Sequence, residues 1–315
     1  MRTRTIVLIL SLISLAFAGS AQSRRRAQLT AGQTNGPVPV VSAPQARLLE
    51  SLQFNSSLLN KGVRYSIYLP PDYYTSNRRY PVVYLLHGYS DDQTGWVQFG
   101  EADRIVDEQI KTGELPPMII VMPDGGVTFY INDYQGKTRY EDMFTQEFIP
   151  FIDSTYRTRP QREFRGVSGL SMGGYGSLTL AMHHPELFGS CAALSAAVWS
   201  DEALAAIPSE DYDKSLASLY SGPVKGEERL TTHWKRNSPL TMAKSLPEND
   251  LKRVRWYVDC GDDDFLTTGN ALLHIALTDR KIEHQYRVRD GAHTWTYWRT
   301  GLPDALKFIT QSFHR

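Results

Sequence analysis

Gly169-Leu170-Ser171-Met172-Gly173-Gly174 follows an apolar run at 164–168 and opens a helical pattern at 172–183. A GxSxG string in that setting puts Ser171 on a tight strand-to-helix turn, with glycines removing Cβ clashes and the hydroxyl raised above a sheet. The string alone is moderate evidence; its place between a strand and a helix strengthens it. A serine hydroxyl is a weak nucleophile at neutral pH and needs a base within hydrogen-bond reach, itself oriented by a buried acid. Both follow in the order Ser, Asp, His. The apolar run 253–259 ends in Cys260-Gly261-Asp262-Asp263-Asp264, and the run 285–289 ends in Asp290-Gly291-Ala292-His293. His293 is the candidate base. The acid is one of three adjacent aspartates, with Asp264 preferred and the others left to solvent or to capping the helix expected from 267.

An oxyanion formed at Ser171 needs two preorganised donors. The amide of Met172, next after the nucleophile, is one candidate. Tyr89, in Leu85-Leu86-His87-Gly88-Tyr89 after a buried strand, supplies the other. His87 is read as shaping this anion site rather than as a base. His183 and His184 end the helix after Ser171 and suit its last carbonyls, while His233, His274, His284 and His314 have no evident acid partner. Asp262, Asp263 and Asp264 lack histidine co-ligands, so neither a metal nor another cofactor is expected. The aromatics Trp96, Phe129, Tyr130, Tyr134, Trp199, Trp295 and Trp298 are candidate substrate walls, with core packing the competing use.

These residues need a frame. Apolar runs at 63–69, 80–86, 118–122, 164–168, 190–194, 253–259 and 285–289 read as strands, several of them continuous as in strands covered on both faces. Helical patterns at 101–112, 140–156, 172–183, 267–280 and 303–313 lie between or after them. This alternation predicts an α/β protein with a mostly parallel central sheet and helices on both faces. Its ligands bind beyond the carboxyl ends of the strands, the rim where Ser171, Asp264 and His293 all fall. Residues 199–237 interrupt the rhythm at that rim and are expected to form a pocket wall or lid.

The 315 residues hold 34 Lys+Arg against 34 Asp+Glu, a balance that offers no field for nucleic acid. Cys191 and Cys260 are too few for a disulfide scaffold and read as two buried thiols, one bridge being the alternative. The chain opens with basic Arg2 and Arg4, an apolar run at 6–18 and small residues at 16–21, the three-part pattern of a secretory signal. That run is shorter than the about 20 residues that span a bilayer, so no stable membrane anchor is expected. The expected organisation is a signal peptide at 1–21, a Pro- and Gly-rich tether at 22–47 and one domain at 48–315. The destination would be secreted or periplasmic.

Together the motifs resemble α/β-hydrolase esterases of the esterase D group, which includes feruloyl and acetyl-xylan esterases, S-formylglutathione hydrolases and mycolyltransferases. The stretches that carry the resemblance are Tyr68-Leu69-Pro70-Pro71-Asp72-Tyr73, the run from Pro81 to Gly88, Met122-Pro123-Asp124-Gly125, the elbow around Ser171, the run from Cys260 to Leu266 and that from Gly291 to Trp298. The resemblance implies an α/β-hydrolase fold, Asp264 as the acid, and Tyr89 and Met172 at the oxyanion positions. It also implies a serine carboxylic-ester hydrolase without cofactor, acting on acetyl or feruloyl-type esters of carbohydrate or other small alcohols, which the N-terminal pattern would make an exported one. An acyltransferase using a sugar or lipid hydroxyl shares the first half-reaction. A catalytically silent binding protein on the same fold is the alternative of another class.

Overall fold

The computed structural model describes residues 47–313. The expected signal peptide lies outside the described residues, as does the tether up to residue 46.

Eight strands form one sheet: β1 (Leu48–Ser56), β2 (Lys61–Tyr68), β3 (Val82–Leu86), β4 (Ile119–Pro123), β5 (Arg165–Leu170), β6 (Ser190–Leu194), β7 (Arg255–Gly261) and β8 (His284–Arg289), in the order β1-β2-β4-β3-β5-β6-β7-β8. β1 and β2 pair antiparallel, as do β2 and β4. From β4 through β8 every pairing is parallel. Every residue of β3, β4, β5 and β6 is buried. That is why these strands read as unbroken apolar or small-residue runs: helices cover both faces. This is the α/β-hydrolase arrangement, and the expected α/β class holds.

One strand escaped the sequence reading and two expected helices need correction. β1 was not foreseen, because LLESLQFNS mixes burial classes on an edge strand with a register break between Leu49 and Leu52, leaving no clean alternation. The helix at 140–156 is divided: Tyr140–Asp142 leads into a π-helical turn, Met143–Phe148, followed by Ile149–Thr155. Pro150, which has no amide hydrogen and whose ring crowds the preceding turn, accounts for the widening. The last helix runs Trp295–Thr310 and carries Pro303 inside it instead of starting there. Its start is set by Thr294, whose hydroxyl accepts from the Tyr297 amide, and by the burial of Tyr297, Trp298 and Leu302.

The 199–237 insertion folds around its own small core, which includes Leu204, Tyr212, Tyr220 and Trp234. Arg229, 1% exposed, donates to the carbonyl oxygens of Leu204, Ala205, Ile207 and Val224 and so clamps the segment's turns. The insertion is therefore a packed segment rather than an open loop. Cys191 and Cys260 are buried free thiols, as the first of the two readings held. Among the described residues no helix is long and apolar enough to cross a membrane.

Candidate active site

Ser171 sits between β5 and the helix Met172–His183 with φ 54° and ψ −115°, a left-handed conformation that a residue with a Cβ adopts only when its surroundings impose it. Its amide donates to the Leu194 carbonyl of β6, 2.9 Å away, which pins the turn to the sheet. His293, on the loop after β8, places Nε2 2.9 Å from Ser171 Oγ and Nδ1 2.8 Å from Asp264 Oδ2. The carboxylate of Asp264 is buried, and its Oδ1 accepts from the Leu266 amide at 2.9 Å. That distinguishes the three aspartates. Asp262 and Asp263 are exposed, and Asp262 Oδ1 accepts from the amides of Asp263 and Gly291, tying the acid loop to the histidine loop.

Met172 begins its helix, so its amide has no acceptor within the helix. The Tyr89 amide donates to no group among the described residues. A Cβ at Gly88 would stand 2.7 Å from Leu170 Cδ1, so glycine lets the Tyr89 loop lie against the elbow. His87 is buried. Its Nδ1 donates to the Gly88 carbonyl at 2.7 Å and its Nε2 accepts from the Gly125 amide at 2.8 Å. His87 therefore ties two loops together, consistent with a shaping role.

The aromatic candidates divide. Trp96 and Tyr130 are not substrate walls: both are buried, Trp96 Nε1 donates to the Leu86 carbonyl and the Tyr130 hydroxyl donates to that of His87. Their role is to hold the end of β3 from which Tyr89 projects. Trp298 is also buried, and meets His293 edge-on at 4.7 Å. Trp295 is half-buried between Trp96, Phe99 and Trp298. Buried Phe129 links Tyr89 to half-buried Trp199 at the start of the insertion. Tyr134 packs against the insertion, its amide donating to the Leu219 carbonyl.

Some site residues escaped the sequence reading. Phe265, half exposed, lies 4.6 Å from the His293 ring; an apolar residue directly after three aspartates is the signal that could have found it. Buried Asp259, two residues before the end of β7, accepts both Arg289 Nε and Nη2 at 3.0 Å and the hydroxyls of Tyr257 and Tyr297. Asp91, three residues after Gly88, is half-buried, and burial pushes its carboxyl up to about 6. His183 and His184 do not serve their own helix end as expected: both donate to Glu141 Oε1 at 2.9 Å.

In this geometry the imidazole can take the Ser171 proton while Asp264 holds the ring, and the Met172 and Tyr89 amides are left without acceptors among the described residues. The Esterase family model matches residues 56–309. The chain is 27% identical over 269 residues to an acetyl esterase of Caldicellulosiruptor saccharolyticus, covering 82% of this chain and 97% of that one. It is 32% identical over 165 residues to an endo-1,4-beta-xylanase/feruloyl esterase of Xylanibacter ruminicola, covering 49% of this chain and 22% of that longer protein. A solved ferulic acid esterase superposes with TM-score 0.72 at 32% identity, covering 84% of this chain and 98% of that one. The chain belongs to this esterase family and has its α/β-hydrolase fold.

Proposed function

We propose that the protein is an exported serine carboxylic-ester hydrolase that removes acetyl or feruloyl-type groups from carbohydrate or other small esters. The observation that carries this reading is the hydrogen-bonded chain from Ser171 through His293 to buried Asp264, mounted on a left-handed elbow beside two free amides. Ser171 Oγ attacks the ester carbonyl as its proton passes to His293 Nε2, and the Met172 and Tyr89 amides hold the oxyanion. Collapse of the tetrahedral adduct leaves an acyl-enzyme, and His293 returns the proton to the departing alcohol oxygen. Water then repeats the sequence to release the acid, while Asp264 keeps Nδ1 protonated and stabilises the imidazolium. The acyl class is supported by the activities for which the relatives are named, and export by the pattern at 1–21.

Purified protein should release acetate or ferulate from model esters, and Ser171→Ala should lower kcat by several orders of magnitude while leaving the melting temperature close to that of the wild type. A folded Ser171→Ala variant with more than a tenth of wild-type turnover would sink the assignment. With a free sugar present, the product should remain the acid; accumulation of a new sugar ester would instead identify acyl transfer.

A further inference from the structure

The turn after β3 carries a carboxylate that the steps above do not use. Gly88 to Asp91 is closed by the Asp91 amide on the Gly88 carbonyl at 3.3 Å, with Ser90 at φ 66°. It folds Asp91 back over the loop that presents the Tyr89 amide. Asp91 Oδ2 and Ser171 Cβ each lie 3.7 Å from the point a Cβ on Gly88 would occupy. The carboxylate is thus no farther than twice that distance from the nucleophile's Cβ.

The environment of Asp91 is unlike that of neighbouring acids. Asp92 Oδ1 accepts from the amide and hydroxyl of Thr94, and Asp124 accepts from Arg64 and the Gly126 amide. The Asp91 carboxylate accepts no hydrogen bond among the described residues, although it is half-buried. The titratable groups facing it are His87, whose Nε2 is occupied by the Gly125 amide, Asp92, which is itself acidic, and Tyr130, whose hydroxyl is spent on the His87 carbonyl. A partly desolvated carboxylate that no protein group serves, with only water left to donate to it, is less favourable than one holding a fixed donor. Its charge beside the oxyanion donors also opposes the oxyanion. A ligand hydroxyl donating to Asp91 would relieve both.

We infer that Asp91 is a specificity residue that selects esters bearing a free hydroxyl on the alcohol side, close to the ester oxygen, by accepting a hydrogen bond from that hydroxyl while the carbonyl lies on Ser171. The substrate class is the partly acylated polyol or sugar, whose free hydroxyl lies only a few bonds from the ester oxygen. An ester without that hydroxyl leaves the carboxylate unsatisfied and its charge unscreened in the transition state. The inference rests on the serine-esterase reading.

The test uses a matched pair: a methyl xyloside acetylated at one position with its other hydroxyls free, and the same ester with those hydroxyls methylated. Full-length wild type should give the higher kcat/KM on the free-hydroxyl ester. Asp91→Ala should reduce that preference at least tenfold, partly by gaining rate on the methylated ester, with Asp91→Asn between the two. Circular-dichroism melts confirm that each variant is folded. A preference unchanged within twofold in both variants, or an equal loss on both esters, would overturn the inference. So would stronger turnover of an ammonium-bearing ester than of the free-hydroxyl one. If wild type hydrolyses 4-nitrophenyl acetate through Ser171 yet shows no preference, Asp91 selectivity falls and the esterase reading stands. If it hydrolyses none of these esters, the esterase reading fails and takes the inference with it.

Discussion

A Cβ on Gly173 would stand 2.4 Å from the carbonyl oxygen of Leu86, so the second residue of the Met172–His183 helix rests directly on the end of β3. That contact brings the two proposed oxyanion donors together, since Met172 precedes Gly173 and Tyr89 follows Leu86 by three residues. Gly173→Ala must push the helix away from backbone that cannot rotate aside. Overpacking of this kind costs about 1–3 kcal/mol of stability, and misplacing one oxyanion donor costs about 3 kcal/mol of transition-state stabilisation. The expected result is a folded protein with a lower melting temperature and kcat reduced about a hundredfold, KM changing less. Steady-state kinetics with near-wild-type kcat would show that the two amides do not act as a pair.

Asp259 and Arg289 hold the ends of β7 and β8, from which the Asp264 and His293 loops depart. Asp259 is fully buried and takes two hydrogen bonds from Arg289 and one each from Tyr257 and Tyr297. Removing one partner of a buried pair strands the other charge, at about 3–5 kcal/mol. Asp259→Leu should therefore lower the denaturation midpoint sharply and reduce activity. Combining it with Arg289→Met, which removes the stranded cation, should recover part of the stability. A double variant whose loss equals the sum of the single losses would show that the two side chains are not coupled.

What could be read from the residues, and what could not, divides along physical lines. β3 to β6 stood out because burial on both faces demands apolar or small side chains throughout. β1 did not, because its faces are mixed and its register breaks at Ser51. The order Ser171, Asp264, His293 was legible because each residue ends a strand on the same rim. The choice among Asp262, Asp263 and Asp264 rested on preference, since three identical side chains differ only in where loop hydrogen bonds point them. Trp96 and Tyr130 were misassigned because an aromatic residue near a rim reads the same whether it faces ligand or, as here, spends its polar atom on a buried carbonyl. Asp91 shows the limit most plainly: the role proposed for it rests on the lack of a donor among the described residues, and composition and spacing do not record such a lack.

Phe265 lies 4.6 Å from the His293 ring and Trp298 meets it edge-on at 4.7 Å. A half-exposed phenyl ring there shields the imidazole from water, and an aromatic neighbour of a developing imidazolium contributes about 0.5–1 kcal/mol. Phe265→Ala should lower kcat/KM about two- to fivefold with little loss of stability, since the side chain is half exposed. Phe265→Tyr should restore most of the rate. If Phe265→Leu rescued as fully as Tyr, simple exclusion of water would explain the effect and the aromatic contribution would be discarded.

On the far side of the nucleophile helix, Glu141 joins the turn before the π-helical segment to His183 and His184, and His183 Nε2 reaches the Arg236 carbonyl at 2.9 Å. Burial alone would raise the Glu141 pKa, but hydrogen bonds and charge from the two histidines outweigh it and hold the carboxyl at about 2 against an ordinary 4.5. The unfolded chain therefore binds the proton more readily, so this contribution is complete above about pH 4.5 and is lost as pH falls toward 2. For His184, burial works against the cation, yet Glu141 and Glu186 raise its pKa above 6.5, so its share is complete below that value and is lost as pH rises through the folded pKa. Both are views of one contact and count once, on the order of 2–3 kcal/mol. Glu141→Gln should thus lower the melting temperature most between about pH 4.5 and 6.5 and progressively less on either side. Melting curves of both proteins from pH 3 to about 8 measure this directly. A difference that stays constant across the range would mean the cluster contributes through packing alone.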